Sequence, residues 1–285
     1  MERQVTCELI AVGNELLIGR TLDTNSNWLA KMISALGGVV KRITTIDDDL
    51  DVIQNAIHEA LTRKPIFIVT TGGLGPTFDD KTLEGIAKAF GLSLELDTMA
   101  YELLKAHYRR RLGASALEQI KLTPERLKMA TIPFGSTPLP NPVGTAPAVM
   151  IKRGETTIIS LPGVPSEMKA IFENSIAPLI MAQPGRSYVC EKTLNLASIL
   201  EADLSPLIDA VMKDNPRAYI KSHPKGAEYR FAIELHIRVT EQNLDVAKKT
   251  IENTVNQMTN LILQHGGKIE SISDGCSEPR SNNHQ

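Results

Sequence analysis

The stretch Ile66-Phe67-Ile68-Val69-Thr70-Thr71-Gly72-Gly73-Leu74-Gly75-Pro76-Thr77-Phe78-Asp79-Asp80 decides the fold of this chain. Ile66 to Val69 is a continuous apolar run, the pattern of a buried strand in a parallel sheet. The run breaks into a turn carrying Gly72, Gly73 and Gly75. Asp79, Asp80 and Thr82 then lead into Leu83, Ile86, Ala87 and Phe90, which recur at helical spacing. Strand, glycine turn and polar helix start set backbone N–H groups and a helix N-terminus at the carboxyl end of a sheet. Open α/β sheets receive anionic ligands there. The two aspartates would repel phosphate unless a cation or a proton intervened. The pattern predicts phosphate chemistry with a metal.

Towards the N-terminus, Val5 to Val12 reads as a first strand, followed by Gly13-Asn14-Glu15-Leu16-Leu17-Ile18-Gly19-Arg20. Its glycines are one residue too far apart for a P-loop, and Arg20 stands where the lysine would be, so that motif is excluded. Asn14 and Glu15 either close the turn or reach a site at the end of the strand. Thr24-Asn25-Ser26-Asn27 are capping residues ahead of Trp28, Leu29, Met32, Ile33 and Leu36, and Gly37 supplies a left-handed stop. Val39 to Ile46 is a β-branched strand ending in Asp47-Asp48-Asp49, after which Ile53, Ile57 and Leu61 mark a helix. Three acids before a helix either complement its dipole as a solvated cap or, in the case of Asp48, share the site. The order β-α-β-α-β-α is the signature of a doubly wound sheet.

Towards the C-terminus, Tyr101, Leu104, Tyr108 and Leu112 mark a helix and Thr123-Pro124-Glu125 starts another. Both read as packing elements or a covering arm. Leu139 to Pro147 is a rigid loop, set by Pro140, Pro142, Pro147 and Gly144, whose polar groups Asn141 and Thr145 can touch a ligand. Ala148 to Ile151 and Thr156 to Leu161 form a hairpin around Arg153-Gly154-Glu155, and Pro162-Gly163-Val164-Pro165-Ser166-Glu167-Met168 then opens a helix. Ser166 and Glu167 either cap that helix or serve as ligand contacts. Gln183-Pro184-Gly185-Arg186-Ser187 is a boundary. Beyond it the pattern is β-α-β-β-α-β, the ferredoxin-like split arrangement, with Leu194, Leu196, Phe231, Ile233, Leu235 and Ile237 alternating along its strands. Lys221 either points towards the first domain or is simply exposed. The domains are thus 1–183 and 188–272, with a polar, disordered tail at 273–285.

Composition narrows the class further. A length of 285 residues suits one or two domains. A net charge of −2, no basic run of five and 4% aromatic residues argue against a nucleic-acid partner. Cys7, Cys190 and Cys276 are odd in number and lie outside metal-ligand spacing, so they read as reduced thiols. No signal peptide and no apolar run of the ~20 residues a membrane span requires are present. The expectation is a soluble, cytoplasmic protein with no membrane partner.

Four blocks carry a resemblance: Gly13 to Gly19 with Asn25, Thr71 to Asp80, Asn141 to Pro147, and Leu161 to Met168. Together they resemble the nucleotide-processing domain of the competence-damage-inducible protein family, CinA, within the wider molybdopterin-binding superfamily of molybdenum-cofactor biosynthesis. The resemblance spans roughly residues 5 to 270. It implies an α/β fold, a three-layer molybdopterin-binding-like sandwich with a mostly parallel sheet plus the small α+β domain. It also implies a homodimer and metal-assisted cleavage of the pyrophosphate in ADP-ribose or a related nucleotide. The additional deamidase domain of many family members is not carried over. At position 14 the family commonly has threonine where this chain has asparagine. In molybdopterin-binding relatives, aspartates matching Asp80 and one near Asp48 serve catalysis.

On this reading Gly72, Gly73 and Gly75 let backbone N–H groups approach phosphates. Asp79 and Asp80 hold Mg²⁺ or Co²⁺, with K⁺ as a further cation. Asp48 or Glu15 positions the attacking water, and Lys221 neutralises a phosphate. Asn141, Thr145 and Glu167 line the nucleoside side, and Asn14, Asn25, Thr71, Pro76, Thr77, Gly144, Pro162 and Gly163 complete the binding set. Two rival expectations use the same glycine turn. One is a pterin or nucleotide binder of molybdenum-cofactor assembly, acting by adenylyl transfer or carriage. The other is a non-catalytic nucleotide sensor.

Overall fold

The computed structural model describes residues 4–112, 123–185, 187–225 and 232–276. Its residues fall into two compact units, Met1–Ser34 with Gly38–Pro184, and Ala35–Gly37 with Gly185–Gln285.

The first unit starts with strand β1 (Thr6–Val12), a short turn of helix α1 (Asn14–Leu17), helix α2 (Thr24–Ala35) and strand β2 (Val39–Ile46). Helix α3 (Leu50–Thr62), strand β3 (Phe67–Thr71) and helix α4 (Thr82–Phe90) follow. A short ribbon, β4 (Leu94–Leu96) with β5 (Thr131–Pro133), frames helices α5 (Thr98–Leu112) and α6 (Pro124–Lys128). Strands β6 (Thr137–Leu139), β7 (Ala148–Arg153) and β8 (Thr156–Leu161) lead to helix α7 (Pro165–Ile171), a π turn at Phe172–Ile176 and helix α8 (Ala177–Met181).

One six-stranded sheet runs β2-β1-β3-β8-β7-β6. Its first three pairings are parallel, and β8-β7 and β7-β6 are antiparallel. The expected mostly parallel α/β sheet is therefore present, with β3 at its centre and all five β3 residues buried. Strand parity sorts the side chains: Ile10 and Val12 join Ile53, Ile57, Ile68 and Ile86 in one core, while Leu9 and Ala11 face the other way. Helices α3 and α4 cover the first face. On α2, Trp28 meets Phe172 of the π turn edge-on, with centroids 5.4 Å apart. Leu139 belongs to β6, so the loop read from it begins one residue later.

The buried β1 also carries a charge. Glu8 accepts two hydrogen bonds of 2.7 Å from Arg63, the residue that ends α3. The paired geometry offsets the cost of burying a carboxylate. Burial likewise pushes the Cys7 thiol up to about 12, which keeps it protonated and inert.

The second unit consists of β9 (Tyr188–Ala197), α9 (Glu201–Asp214), β10 (Ala218–Lys225), β11 (Ala232–Glu241), α10 (Leu244–Gln264) and β12 (Lys268–Cys276). The strands make an antiparallel sheet in the order β10-β11-β9-β12. This is the expected β-α-β-β-α-β arrangement, with its own core around Leu194, Leu235, Ile251 and Met258. The polar stretch from Ser273 is still strand as far as Cys276. Arg186, Phe231 and the rest of the tail lie outside the described residues. No helix among the described residues is long and apolar enough to cross a membrane.

Candidate functional site

Where β3 ends, Gly72 and Gly73 take φ values of +97° and +67°. Gly72 N–H donates to the Leu161 carbonyl at 3.0 Å, and the buried Thr82 hydroxyl donates to the Gly72 carbonyl at 2.8 Å. The turn is thereby fixed to β8 on one side and to the start of α4 on the other. A β-carbon at Gly72 would lie 2.2 Å from the Val12 carbonyl oxygen, and one at Gly73 the same distance from Thr82 Oγ1. At Gly75 it would lie 2.5 Å from Asp80 Oδ2. The protein itself fills the space these glycines leave. Their absence of side chains is a packing requirement first, not only an opening for phosphate.

The glycine turn forms part of a cleft of about 520 Å³ within the first unit. Glu15, Asp48, Asp79 and Asp80 all line it. The Thr77 hydroxyl lies 2.6 Å from Asp80 Oδ2 and also against Asp79 Oδ1, and Thr77 N–H donates to Asp80 at 2.8 Å. One hydroxyl has one proton, so it satisfies one carboxylate and leaves the other facing it through lone pairs. A cation between the two acids would relieve that contact. Lys128 Nζ donates to the Thr77 carbonyl and secures the loop from behind. The Thr77 bond, then Asp79's own N–H, and at longer range Lys128 and Lys81, hold the Asp79 carboxyl below the usual carboxylate range.

The three acids after β2 separate into three roles. Asp49 caps α3, accepting from Asp51 N and Val52 N at 2.8 and 3.2 Å. Asp47 accepts from Asp48 N at 2.7 Å. Asp48 turns into the cleft, accepting from Asn14 N at 2.9 Å. Burial pushes its carboxyl above the ordinary aspartate value despite the Asn14 bond, and Glu15, Asp47 and Asp79 push the same way. The fold therefore disfavours the ionised form. That penalty is absent below the unfolded value and grows as pH rises through the folded one. Asp48→Asn, which retains an oxygen for Asn14, is expected to raise the Tm at neutral pH by about 1–2 °C. The gain should vanish in acid, and thermal melts at both pH values check it.

On the other side, Asn141 is buried and used internally. Its amide nitrogen donates to the Ala146 carbonyl at 2.8 Å and to Glu167 Oε2 at 2.7 Å. Its oxygen accepts from Gly144 N and Val143 N at 2.7 and 3.2 Å. Asn141 thus braces the loop. Gly144 lies flat against Glu167, where a β-carbon would come 1.9 Å from Cδ. The brace leaves Thr145, Ala146 and Glu167 lining the cleft.

Of the residues expected from the sequence, Glu15, Asp48, Gly72, Gly73, Gly75, Pro76, Asp79, Asp80, Thr145, Pro162, Gly163 and Glu167 meet at this cleft. Asn14, Thr77, Asn141 and Gly144 stand behind it as partners of lining groups. Asn25 donates to the Gly163 carbonyl at 2.7 Å. Thr71 is buried in β3, and Lys221 lies on β10 of the second unit. The sequence reading missed Tyr108 and Met129, which line the cleft from α5 and the end of α6. Only the helical spacing around Tyr108 was visible, and it read as a packing element or a covering arm.

Fold and cleft together define an α/β domain of the molybdopterin-binding type. Residues 8–182 match the family described as probable molybdopterin binding domain, and the chain belongs to that family. A protein of Pyrobaculum arsenaticum is 40% identical over 266 residues, covering 93% of this chain and 97% of that one. One of Aeropyrum pernix is 38% identical over 279 residues, covering 97% and 100%. Among solved structures, the protein CinA with unknown function from Thermoplasma acidophilum is 41% identical. It matches 62% of this chain and 98% of its own at a TM-score of 0.56. The resemblance to CinA read from the four blocks is borne out.

Proposed function

We propose that the cleft binds a pterin or nucleotide through its phosphates, together with a divalent cation, and acts at the phosphoanhydride. The family description favours a place in molybdenum-cofactor biosynthesis, as carrier of such a ligand or in adenylyl transfer to it. The observation that carries the reading is the meeting of Glu15, Asp48, Asp79 and Asp80 with the glycine turn in one cleft. Among the described residues no cluster of three His, Cys, Asp or Glu side chains is placed to hold a metal. A two-carboxylate set suits Mg²⁺, which takes one or two carboxylates plus phosphate oxygens and water. Asp79 and Asp80 would hold it, and when bound it would neutralise phosphate charge. Around it, Thr77 and Lys128 fix the loop, and Glu167 orients the remainder of the ligand.

A second, finer reading is hydrolysis of the pyrophosphate in ADP-ribose or a related nucleotide. It is favoured by Asp48, whose partly buried carboxyl is disposed to accept a proton from water. The deciding experiment incubates the protein with ADP-ribose, and separately with ATP and a pterin phosphate, each with Mg²⁺, Co²⁺ or K⁺. Metal-dependent release of AMP and ribose phosphate is expected under hydrolysis, and pyrophosphate with an adenylylated pterin under transfer. Absence of both turnover and calorimetric binding for all three ligands would overturn the proposal.

A further inference from the structure

On the reading that the cleft holds a phosphate-bearing ligand, two chemically distinct sets stand out in its lining. The carboxylates and glycines serve the phosphates. The second set is Leu74, Tyr108, Met129 and Ala146. These belong to one hydrophobic cluster, in which Leu74, Met129 and Ala146 are core and Tyr108 packs partly buried against it. The apolar core of this lobe thus opens onto the same cleft as the acids. Phosphates gain nothing from such a wall, whereas a ring laid on it leaves water.

Among the described residues Tyr108 is the aromatic side chain in the lining. Neighbours fix its position. The Arg126 guanidinium lies over its ring, 5.2 Å from the centroid, and His107 meets it edge-on at 5.9 Å. Leu104, one helical turn earlier on α5, is fully buried beneath it. A ring already immobilised loses little entropy when a ligand stacks on it, and the cation over it stabilises the arrangement. We propose that Tyr108 is a specificity-determining residue, the platform on which the planar heterocycle of the ligand, purine or pterin, stacks. The phosphate end provides affinity for any diphosphate, and Tyr108 selects those that carry a ring.

The test is calorimetric titration of the full chain in Mg²⁺ with ADP, 6-hydroxymethylpterin diphosphate and inorganic pyrophosphate. Tyr108→Leu is expected to weaken binding of at least one ring-bearing ligand about tenfold or more, and of pyrophosphate by less than about twofold. The ligand with the larger loss identifies the ring. Tyr108→Phe keeps the platform and should bind like the parent, which separates stacking from a general loss of fold. Equal losses for pyrophosphate and both ring-bearing ligands, or no loss for any, would overturn the inference and leave the proposed function standing. A parent chain that binds none of the three would instead overturn the proposed function, and this inference with it.

Discussion

Gly72→Ala is expected to destabilise the protein by more than about 4 kcal/mol, an exceptional value for one methyl group. Two costs combine. The backbone at Gly72 has φ +97°, a region where a side chain costs about 1–3 kcal/mol by itself. The added carbon would also sit 2.2 Å from the Val12 carbonyl oxygen. That oxygen is backbone at the end of a central strand, which pairs with β2 through Val12 opposite Ile46. Gly13 N–H adds a 3.0 Å bond to the Ile46 carbonyl. Relief therefore requires β1 and β3 to separate, and no side-chain rotation can substitute. With total stabilities of about 5–15 kcal/mol typical, much of the variant should be unfolded at 37 °C. Gly163→Ala is the control. It lines the same cleft, but its new carbon would meet Gly72 Cα at 3.4 Å, an ordinary contact. Urea unfolding should place it within about 1 kcal/mol of the parent. Equal costs at the two sites would refute the steric account.

The contrast also shows what a sequence can and cannot disclose. The glycine turn after Ile66 to Val69 was legible because an apolar run, a break and a helical period are local signals. The reason for each glycine was not, because Val12, Thr82 and Asp80 fill the three spaces from different elements. Asp48 was a site candidate among three adjacent acids, but no local signal assigned Asp47, Asp48 and Asp49 their separate roles. Their division of labour follows from the β1–β2 register, which sets Asn14 N beside Asp48 and leaves Asp49 to cap α3. Asn141 stood out in a proline-rich loop, yet its use as a brace depends on Glu167, 26 residues away. Tyr108 and Met129 were hidden most deeply. Both obey ordinary packing patterns, and only the packing of α5 and α6 within the first unit brings them to the cleft.

Asp80→Asn is expected to lower turnover of a phosphoanhydride substrate by about a hundredfold or more while the fold and ligand binding survive. A charge that helps hold a cation at a transferring phosphate is worth several kcal/mol, and about 1.4 kcal/mol is tenfold. The substitution isolates that charge. Asp80 Oδ2 accepts from Thr77 N at 2.8 Å and lies 2.6 Å from the Thr77 hydroxyl, and an amide oxygen can keep both contacts. The loop from Pro76 to Asp80 should therefore hold its shape, and removing one of two acids around a single hydroxyl eases their crowding. Asp80→Ala would confuse the result by deleting those bonds as well. Three measurements on the Asn variant decide the matter: the thermal midpoint, calorimetric ligand affinity, and turnover across a Mg²⁺ titration. An unchanged midpoint, near-parental affinity and a turnover defect partly recovered at high Mg²⁺ would assign Asp80 to the cation. A defect that no Mg²⁺ concentration relieves would place Asp80 on the substrate instead. Full turnover at ordinary Mg²⁺ would remove it from the chemistry altogether, leaving Thr77 and Asp80 as a structural clasp behind the glycine turn.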